Sequence, residues 1–491
     1  MSEQNALNVP QHTHKINDVI ISMRWKMEKL FKLKENNTTV RTEVLAGTTT
    51  FLTMAYIILV NPQILGLAGM DTGAVFVATI LAAAIGTFIM GFVANVPFAQ
   101  APGMGLNAFF TFTVVFGLGY TWQQALGMVF VCGLINILIT VTKVRKMIIH
   151  AIPHSLQYAI SGGIGLFIAY IGVKQAHFLT FTGEAFNLLV DTGDGGGIYA
   201  DVVPALSNFK DPVAQVALIG LLVTVVLMLL RVKSAILFGI VASTVLGIFF
   251  KITEVPDLST ISFAIPSLKP TFLALDIAGL FNSPQRIFIS LTTIFAFSLT
   301  DTFDTIGTFL GTGRKSGIFD EADEKSVESG SGMSSKLEKA LFADATATSI
   351  GALLGTSNTT TYVESAAGIS QGGRTGLASV TTGVLFLMAL FLSPLALMVP
   401  GAATAPALIV VGVLMADGLK NIEWDDLAIA IPAFLILALM PFTYSISTGI
   451  AFGFLFYCLS MFVVKRSKEV HPVLYVVTLL FLASYVLNAL I

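Results

Sequence analysis

The chain has 491 residues, of which 55% are hydrophobic and only 11% are charged. Soluble domains carry about 25% charged residues, so this composition excludes a water-soluble fold and indicates a membrane protein. The net charge of −2 also excludes the strong basic field of a nucleic-acid-binding protein. Two cysteines in apolar segments indicate neither a disulfide framework nor a zinc site, and we expect no cofactor and no bound metal.

A polar N-terminal segment, residues 1–40, precedes a series of apolar stretches. Crossing a bilayer takes roughly 20 helical residues, and the chain offers 14 such stretches. The predicted spans lie near 43–65, 74–96, 98–119, 122–142, 154–174, 213–231, 234–252, 286–312, 339–355, 357–371, 375–398, 403–419, 425–441 and 443–463. The last apolar stretch, 473–491, is not assigned to either side or to the membrane. The pattern predicts an all-α membrane protein.

The basic residues support this span count. With the N-terminus inside, the loops after even-numbered spans are cytoplasmic, and cytoplasmic loops are rich in Lys and Arg. These loops hold Lys143, Arg145, Lys146, Arg231, Lys233, Arg314, Lys315, Lys325, Lys336, Lys339, Arg374, Lys420, Lys465, Arg466 and Lys468. The long loop 175–212, expected outside, is acidic. We therefore predict a multi-pass protein of the cell membrane with a cytoplasmic N-terminus.

A weak internal repeat relates two helix beginnings seven spans apart. Pro153 precedes a glycine-rich span 5, and Pro406 lies in span 12, which contains Gly412. An odd number of spans per repeat inserts the second copy upside down, and inverted repeats are a common plan of secondary transporters.

Spans 3 and 10 do not read as ordinary lipid-facing helices. Span 3 begins with two prolines and two glycines within 97–105. Proline breaks a helix, and glycine permits other backbone shapes. Span 10 begins with the hydroxyl-rich stretch 356–361 and continues with small residues. We predict that each is a short strand followed by a half-helix whose free N–H groups face a solute in mid-membrane. The alternative is a re-entrant loop or kinked helix without a ligand.

Carboxylic acids lie at membrane depth in spans 8 and 10. Asp301 and Asp304 are three residues apart and share one face of a helix, and such groups cost about 2.5–3.5 kcal/mol to insert. Asp304 is therefore interpreted as functional, whereas a structural hydrogen bond to a neighbouring helix remains an equal alternative for Asp301. Glu364 begins the half-helix of span 10, where a helix-terminal role and solute binding are both open.

Four segments resemble the nucleobase–ascorbate transporter superfamily, most closely its AzgA-like (azaguanine/hypoxanthine) purine permease branch. They are TTTFLTMAYIILVNPQIL at 48–65, APGMGLNAFF at 101–110, SLTDTFDTIGTFLG at 298–311 and TTTYVESAAGISQGGRTG at 359–376. The resemblance implies two inverted seven-span repeats that form a core domain (41–145 with spans 1–4, 284–400 with spans 8–11) and a gate domain (146–283 with spans 5–7, 401–465 with spans 12–14). Residues 466–491 are then a C-terminal apolar segment.

The resemblance also implies solute–proton symport and a site on spans 3, 8 and 10. Carried onto this sequence, the acids that hydrogen-bond the base are Asp304 and Glu364, and the polar residue of span 3 is Asn107. We further predict that Phe109 stacks on the base and that Thr361 belongs to the binding residues.

The coupled proton is expected on Asp304, Asp301 or Glu364. Classical uracil and xanthine members carry a Glu on span 8 and an Asn soon after the span 10 acid, where this chain has Asp304 and Ser365. This difference argues against uracil, xanthine or ascorbate as the main solute.

The predicted function is a purine nucleobase permease that imports hypoxanthine, guanine or adenine by proton symport with alternating access. The alternatives are a sodium-coupled nucleobase carrier and a related sulfate or bicarbonate carrier. A membrane enzyme is not favoured, because the sequence shows neither paired metal ligands nor a nucleophile with its base, and we expect no catalytic residues. The expected partners are a purine base, protons or sodium, and membrane lipid, with a homodimer left open.

Overall fold

The computed structural model describes residues 27–142, 152–183, 188–191, 197–199, 202–253, 264–314, 316–320, 323, 333 and 335–489. Its helices are α1 Val40–Met54, α2 Ile57–Leu67, α3 Thr72–Ile89, α4 Met104–Ala108, α5 Trp122–Val141, α6 His154–Gln175, α7 Pro212–Leu229, α8 Ala235–Phe249, α9 Pro284–Thr308, α10 Lys336–Leu354, α11 Ser365–Ser370, α12 Gly376–Ala389, α13 Ser393–Leu397, α14 Gly401–Met415, α15 Leu427–Phe442, α16 Ile446–Val463 and α17 Pro472–Ala489. Its strands are β1 Gln100–Pro102, β2 Leu179–Gly183, β3 Leu188–Asp191, β4 Gly197–Tyr199, β5 Val202–Leu206 and β6 Thr359–Thr361.

Several helices continue into π-helical or 3-10 turns. The π-helical segments are Met90–Ala94, Phe109–Gly117 and Phe309–Arg314, and the 3-10 turns are Ala278–Phe281, Leu390–Leu392, Ala416–Asn421 and Ser467–Glu469. Helix starts follow ordinary capping chemistry: Thr121 and Ser335 each form a capping box at the start of α5 and α10, which satisfies otherwise free N–H groups.

Apolar helices dominate the described part of the chain. Nine continuous helical segments of this part, including Val40–Leu67 (α1 with α2) and Gly376–Leu397 (α12 with α13), are long and apolar enough to cross a membrane, and four shorter apolar helices accompany them. The predicted all-α membrane fold is therefore confirmed, whereas the number of 14 spans remains a prediction. Of the predicted cytoplasmic residues, 1–26, the basic residues of the loop 143–151, Lys315 and Lys325 lie outside the described part.

The helices pack in two groups. The first contains α6, α7, α8, α14, α15 and α16, which correspond to predicted spans 5–7 and 12–14. The second contains α1, α2, α3, α5, α9, α10, α11 and α12, from predicted spans 1, 2, 4 and 8–11. The short helix α4 contacts α2 and α9 of the second group and α6 of the first, while α17 contacts α9 and α16. The short helix α4 thus lies at the boundary between the two groups.

Helices α6 and α14 cross where each carries a glycine. A Cβ atom added to Gly412 would lie 2.4 Å from the carbonyl oxygen of Gly165, and one added to Gly165 would lie 2.9 Å from the carbonyl oxygen of Gly412. Only glycine permits backbones to approach this closely. Helix α6 begins directly after Pro153, whereas Pro406 lies inside α14, which begins at Gly401, so the two segments that indicated the internal repeat do not occupy matching helix starts.

The predicted outer loop 175–212 contains regular structure that the sequence analysis missed. Strands β2 and β5 pair antiparallel from Leu179 with Leu206 to Gly183 with Val202, and β3 pairs with β4. The prediction of strands in spans 3 and 10 only was therefore incomplete. The β2 and β5 segments are too short to span the membrane, but their β-branched and aromatic residues suit a hairpin-like ladder.

Candidate functional site

The two broken spans meet as a two-stranded antiparallel sheet. Gln100 pairs with Thr361, Ala101 with Thr360 and Pro102 with Thr359. The ladder continues on both sides, since Tyr362 N donates to Ala99 O (3.0 Å) and Gly103 N donates to Asn358 O (2.9 Å). The predicted strand followed by a half-helix is therefore present in each span, and the backbone groups at membrane depth satisfy one another as a bilayer requires.

Local sequence explains this junction. Thr359, Thr360 and Thr361 are β-branched and favour extended backbone. Gly103 connects β1 to α4, and a Cβ atom there would lie 2.6 Å from Cγ2 of Thr360. Across the sheet, the hydroxyl groups of Thr360 and Thr305 of α9 lie 2.8 Å apart. The strand pair is thereby tied to the helix that carries the predicted functional acids.

Asp304 faces a narrow cavity between the two helix groups. The cavity is lined by Gly105 and Leu106 of α4, Ile160, Ser161 and Ile164 of α6, Thr300 and Asp304 of α9, and Met415 of α14. It contains about 20 Å³ of open space, which is enough for about one water molecule. The hydroxyl oxygen of Thr300 is buried and has no hydrogen-bond partner among the described atoms. Asp304 and Thr300 therefore present polar groups to this cavity.

Asn107 directly follows the cavity-lining Leu106 in the sequence and is fully buried. Its Oδ1 accepts a hydrogen bond from the hydroxyl of Ser357, which ties α4 to the segment before β6. Its Nδ2 has no hydrogen-bond partner among the described atoms. Because buried amide groups are nearly always paired, this free donor marks Asn107 as a candidate ligand.

Glu364 occupies the N-cap position of α11, but its side chain does not cap that helix. Instead its Oε1 accepts a hydrogen bond of 2.6 Å from the hydroxyl of Tyr56. Tyr56 lies at the break between α1 and α2 and is 1% exposed. The helix-terminal role is thus not supported, and the acid of span 10 is instead positioned by span 1. Tyr56 is a site residue that the sequence analysis missed, although it lies within the quoted segment 48–65.

Asp301 belongs to a separate network inside the second helix group. Its Oδ2 accepts hydrogen bonds from Nδ2 of Asn136 (3.1 Å) and from the hydroxyl of Thr348 (3.2 Å). The hydroxyl of Ser298 donates to Oδ1 of Asn136. Asp301 Oδ1 has no hydrogen-bond partner among the described atoms. One carboxylate oxygen of Asp301 therefore forms the hydrogen bonds of the structural interpretation, and the other oxygen can still accept a hydrogen bond.

Thr361 and Phe109 are both engaged within the protein. The Thr361 hydroxyl donates to Oδ1 of Asp344 at 2.7 Å. Phe109 is fully buried, and its ring centroid lies 4.5 Å from that of Phe297. Neither residue lines the cavity beside Asp304, so their predicted contacts with a base remain predictions.

The site offers acids, amides and hydroxyl groups rather than a metal centre. Within the described ranges, no group of three or more His, Cys, Asp and Glu side chains could hold a metal ion. The arrangement suits hydrogen bonding to a small polar solute beside α4 and α9, whereas Glu364 at the start of α11 does not line this cavity.

Sequence comparisons extend over nearly the whole chain. The sequence model described as "Permease family" matches residues 41–452. The adenine permease AdeP of Escherichia coli K12 is 42% identical over 461 residues, which cover 94% of this chain and 96% of AdeP. The guanine/hypoxanthine permease PbuG of Bacillus subtilis 168 is 40% identical over 471 residues, which cover 94% of this chain and 99% of PbuG.

Comparison with solved structures identifies the same architecture. The transmembrane domain of the cyanobacterial bicarbonate transporter BicA is similar with a TM-score of 0.56 and 17% identity, covering 86% of this chain and 96% of that domain. At this identity the similarity concerns the fold alone. It confirms the predicted inverted-repeat fold.

Proposed function

The chain belongs to the Permease family, and from this premise we propose that it imports a purine nucleobase together with a proton by alternating access. Family membership makes the protein a transporter rather than an enzyme and confirms the resemblance to AzgA-like purine permeases. AdeP and PbuG are named for adenine and for guanine and hypoxanthine, and both align along almost their full length. These relatives support a purine base as the solute.

One structural observation carries the proposal. Asp304 faces a cavity between the helix groups, and Asn107, whose Nδ2 has no hydrogen-bond partner among the described atoms, directly follows the cavity-lining Leu106. Asn107 can donate to a carbonyl oxygen or ring nitrogen of the base. Glu364 can accept hydrogen bonds from ring N–H groups, because the one hydrogen bond from Tyr56 leaves other lone pairs of the carboxylate free. Such complementary donors and acceptors discriminate strongly against solutes that leave them unpaired.

We assign the coupled proton first to Asp304. Its carboxyl group is half-buried beside the cavity, and removal of water favours the protonated form of a carboxyl group. A base that fills the cavity excludes water, so base and proton would load together without a buried net charge. Asp301, with one unpaired oxygen, and Glu364 are the other proton carriers in this proposal.

The two helix groups supply the moving parts. We propose that the group with α1 to α5 and α9 to α12 is the core domain and that the other is the gate domain. The cavity beside Asp304 holds about one water, so a purine enters only when α4 and α9 separate from α6 and α14. The distribution of basic residues supports a cell-membrane location with the N-terminus in the cytoplasm.

The test is uptake of labelled hypoxanthine and adenine by cells that lack their own purine permeases. We expect Asp304→Asn and Glu364→Gln each to reduce uptake at least tenfold. This is the loss in binding expected when one or two charge-assisted hydrogen bonds are removed. The matched control is Glu423→Gln, which changes an exposed acid and should transport normally. Normal uptake by both site variants at normal membrane abundance would overturn the assignment.

Coupling and solute class are tested in the same cells. Varying pH and sodium separately distinguishes proton symport from the sodium-coupled alternative, because only the coupled ion changes the accumulation ratio. Sulfate and bicarbonate should not compete with hypoxanthine. An anion carrier of the BicA fold would need a cation or unopposed helix N-termini at its site, whereas this site presents Asp304 and Glu364.

A further inference from the structure

Four aromatic side chains join the two helix groups at one end of the cavity. This aromatic cluster consists of Phe112, Phe167, Tyr170 and Tyr444. The ring centroid of Tyr444 lies 5.4 Å from Phe112, 5.4 Å from Phe167 and 6.0 Å from Tyr170, each at a near-perpendicular interplanar angle. Phe112 belongs to the π-helical continuation of α4, whereas the other three belong to α6 and the α15–α16 loop. Tyr444 therefore contacts an aromatic ring on each side of the boundary between the groups.

The aromatic cluster lies further along the same helical segments that line the cavity. On one wall, Phe112 lies six residues after the cavity-lining Leu106 in the same helical segment, and on the other, Phe167 lies three residues after the cavity-lining Ile164. At about 1.5 Å per helical residue, the rings lie roughly one to two turns beyond the cavity. A solute that leaves Asp304 in this direction must pass them.

Burial changes across the aromatic cluster. Phe167 is 0% exposed and Phe112 is 5% exposed, whereas Tyr444 is half-buried and Lys174 is exposed. The Lys174 Nζ atom lies 5.0 Å from the Tyr444 ring centroid, which is cation–π geometry. Tyr444 thus has a dry side toward the cavity and a wet side toward Lys174, so it forms the boundary between the two.

The backbone at Tyr444 is strained. Its φ is +55°, in the left-handed region where glycine is the ordinary residue after a helix C-terminus. Non-glycine residues in such conformations cluster at functional sites. Phe112 lies in a π-helix, another feature frequent at functional sites. Nine other described non-glycine residues also have a positive φ, so it is the three ring contacts of Tyr444 that distinguish it.

We propose that Tyr444 is the gate residue that closes this end of the cavity. Its ring holds Phe112 of the core group against Phe167 of the gate group, and this contact must open for a solute to pass. Only the identity of the solute as a purine base rests on the function proposed above. The flat faces of the rings would contact a flat heterocycle in passage, so Tyr444 also contributes to selection among solutes.

The test measures access to the cavity by thiol labelling. Ser161→Cys places a reporter on the cavity wall, and both native cysteines, Cys132 and Cys458, are buried. A membrane-impermeant maleimide is applied separately to intact cells and to inverted membrane vesicles. Adding Tyr444→Gly removes the ring and relieves the backbone strain, so folding is favoured. We expect labelling from one side to rise up to about tenfold, because the Tyr444–Phe112 pair, which joins the two groups, is lost and such a pair contributes about 0.5–1.5 kcal/mol.

Two further variants define the outcome. Tyr444→Phe keeps the ring and should label as slowly as the parent reporter, while Phe116→Ala removes a neighbouring aromatic residue that is 55% exposed and should also have no effect. Equal labelling of the Tyr444→Gly reporter and its parent from both sides would overturn the gate. Labelling does not require transport, so failure of hypoxanthine uptake would sink the proposed function without affecting this result.

Discussion

Two pairs of corresponding segments from the inverted repeats meet in this molecule, and they do so with opposite chemistry. Spans 3 and 10 meet at the polar β1–β6 junction, where strands exchange hydrogen bonds. Spans 5 and 12 meet at the dry α6–α14 crossing, where Gly165 and Gly412 bring backbones together. The same repeat symmetry thus produces one polar junction and one apolar junction.

The difference between the junctions indicates a division of labour. The polar junction contains buried groups that have no hydrogen-bond partner in the described part of the chain, among them Nδ2 of Asn107 and Oδ1 of Asn358. Unpaired buried polar groups are expensive unless a ligand or water satisfies them. The α6–α14 crossing lacks such side chains at its glycine contacts and is held by close packing. We infer that the first junction binds the solute and the second keeps the gate group rigid.

The largest effect is expected from breaking the dry crossing. Gly412→Ala places a Cβ atom 2.4 Å from the carbonyl oxygen of Gly165, so α6 and α14 must separate at a destabilisation of about 1–3 kcal/mol. The measurement is the melting temperature of the detergent-solubilised protein. The control is Gly401→Ala on the same helix, where an added Cβ meets nothing within 4 Å. If both variants melt alike, the crossing does not depend on glycine.

The second effect tests the polar junction. Tyr56→Phe removes the hydroxyl that donates to Glu364 at 2.6 Å but retains the ring. Hydrogen bonds to charged groups contribute about 1.5–3 kcal/mol, so we expect the KM for purine uptake to rise at least tenfold. The melting temperature should change less than in Gly412→Ala.

A matched tyrosine controls for the loss of a hydroxyl group. Tyr158→Phe changes a ring that packs near Gly418, and its uptake should stay at the wild-type level. Unchanged KM in Tyr56→Phe would show that Glu364 does not need Tyr56 for its position. The assignment of the span 10 acid to the base would then lose its structural support.

The sequence could predict the polar junction better than the dry one. Pro102 and Gly103 break a helix locally, and the run Thr359–Thr361 favours a strand, so the interruption of both spans is written in short segments. Asp304 was recognisable because an acid in an apolar helix is rare. These signals need no knowledge of distant neighbours.

The remaining features depend on contacts between distant segments. Tyr56 and Glu364 are 308 residues apart, and nothing near Tyr56 indicates its partner. The closest contact of Gly165 is equally non-local, and the glycines of span 5 read only as a flexible or crowded stretch. The strands of the loop 175–212 are short and amphipathic. Their pairing was therefore not predicted, because the two flanking apolar spans give much stronger sequence patterns. The conformation of Tyr444 is likewise set by tertiary packing around its ring.

The smallest effect is expected at a cluster of surface charges. It tests whether pH-dependent transport originates at the polar junction or at these surface charges. Arg466 donates to Asp426 (2.5 Å) and to both carboxylate oxygens of Glu469 (2.9 and 2.8 Å). These hydrogen bonds lower the pKa of Asp426 and the pKa of Glu469 below their usual values. A carboxyl group with a lowered pKa stabilises the fold above its unfolded pKa, near 4, and loses this contribution as pH falls through the folded value.

Arg466→Gln should therefore reduce the loss of stability in acid below about pH 4, where both carboxyl groups ordinarily titrate. It should leave the pH dependence of purine uptake between about pH 5 and 8 unchanged, because neither group titrates there. The measurements are melting temperature and initial uptake rate across both pH ranges. A shifted uptake profile in Arg466→Gln would transfer the control of proton dependence from the cavity acids to this surface cluster, and the contrast between the two junctions would then no longer explain coupling.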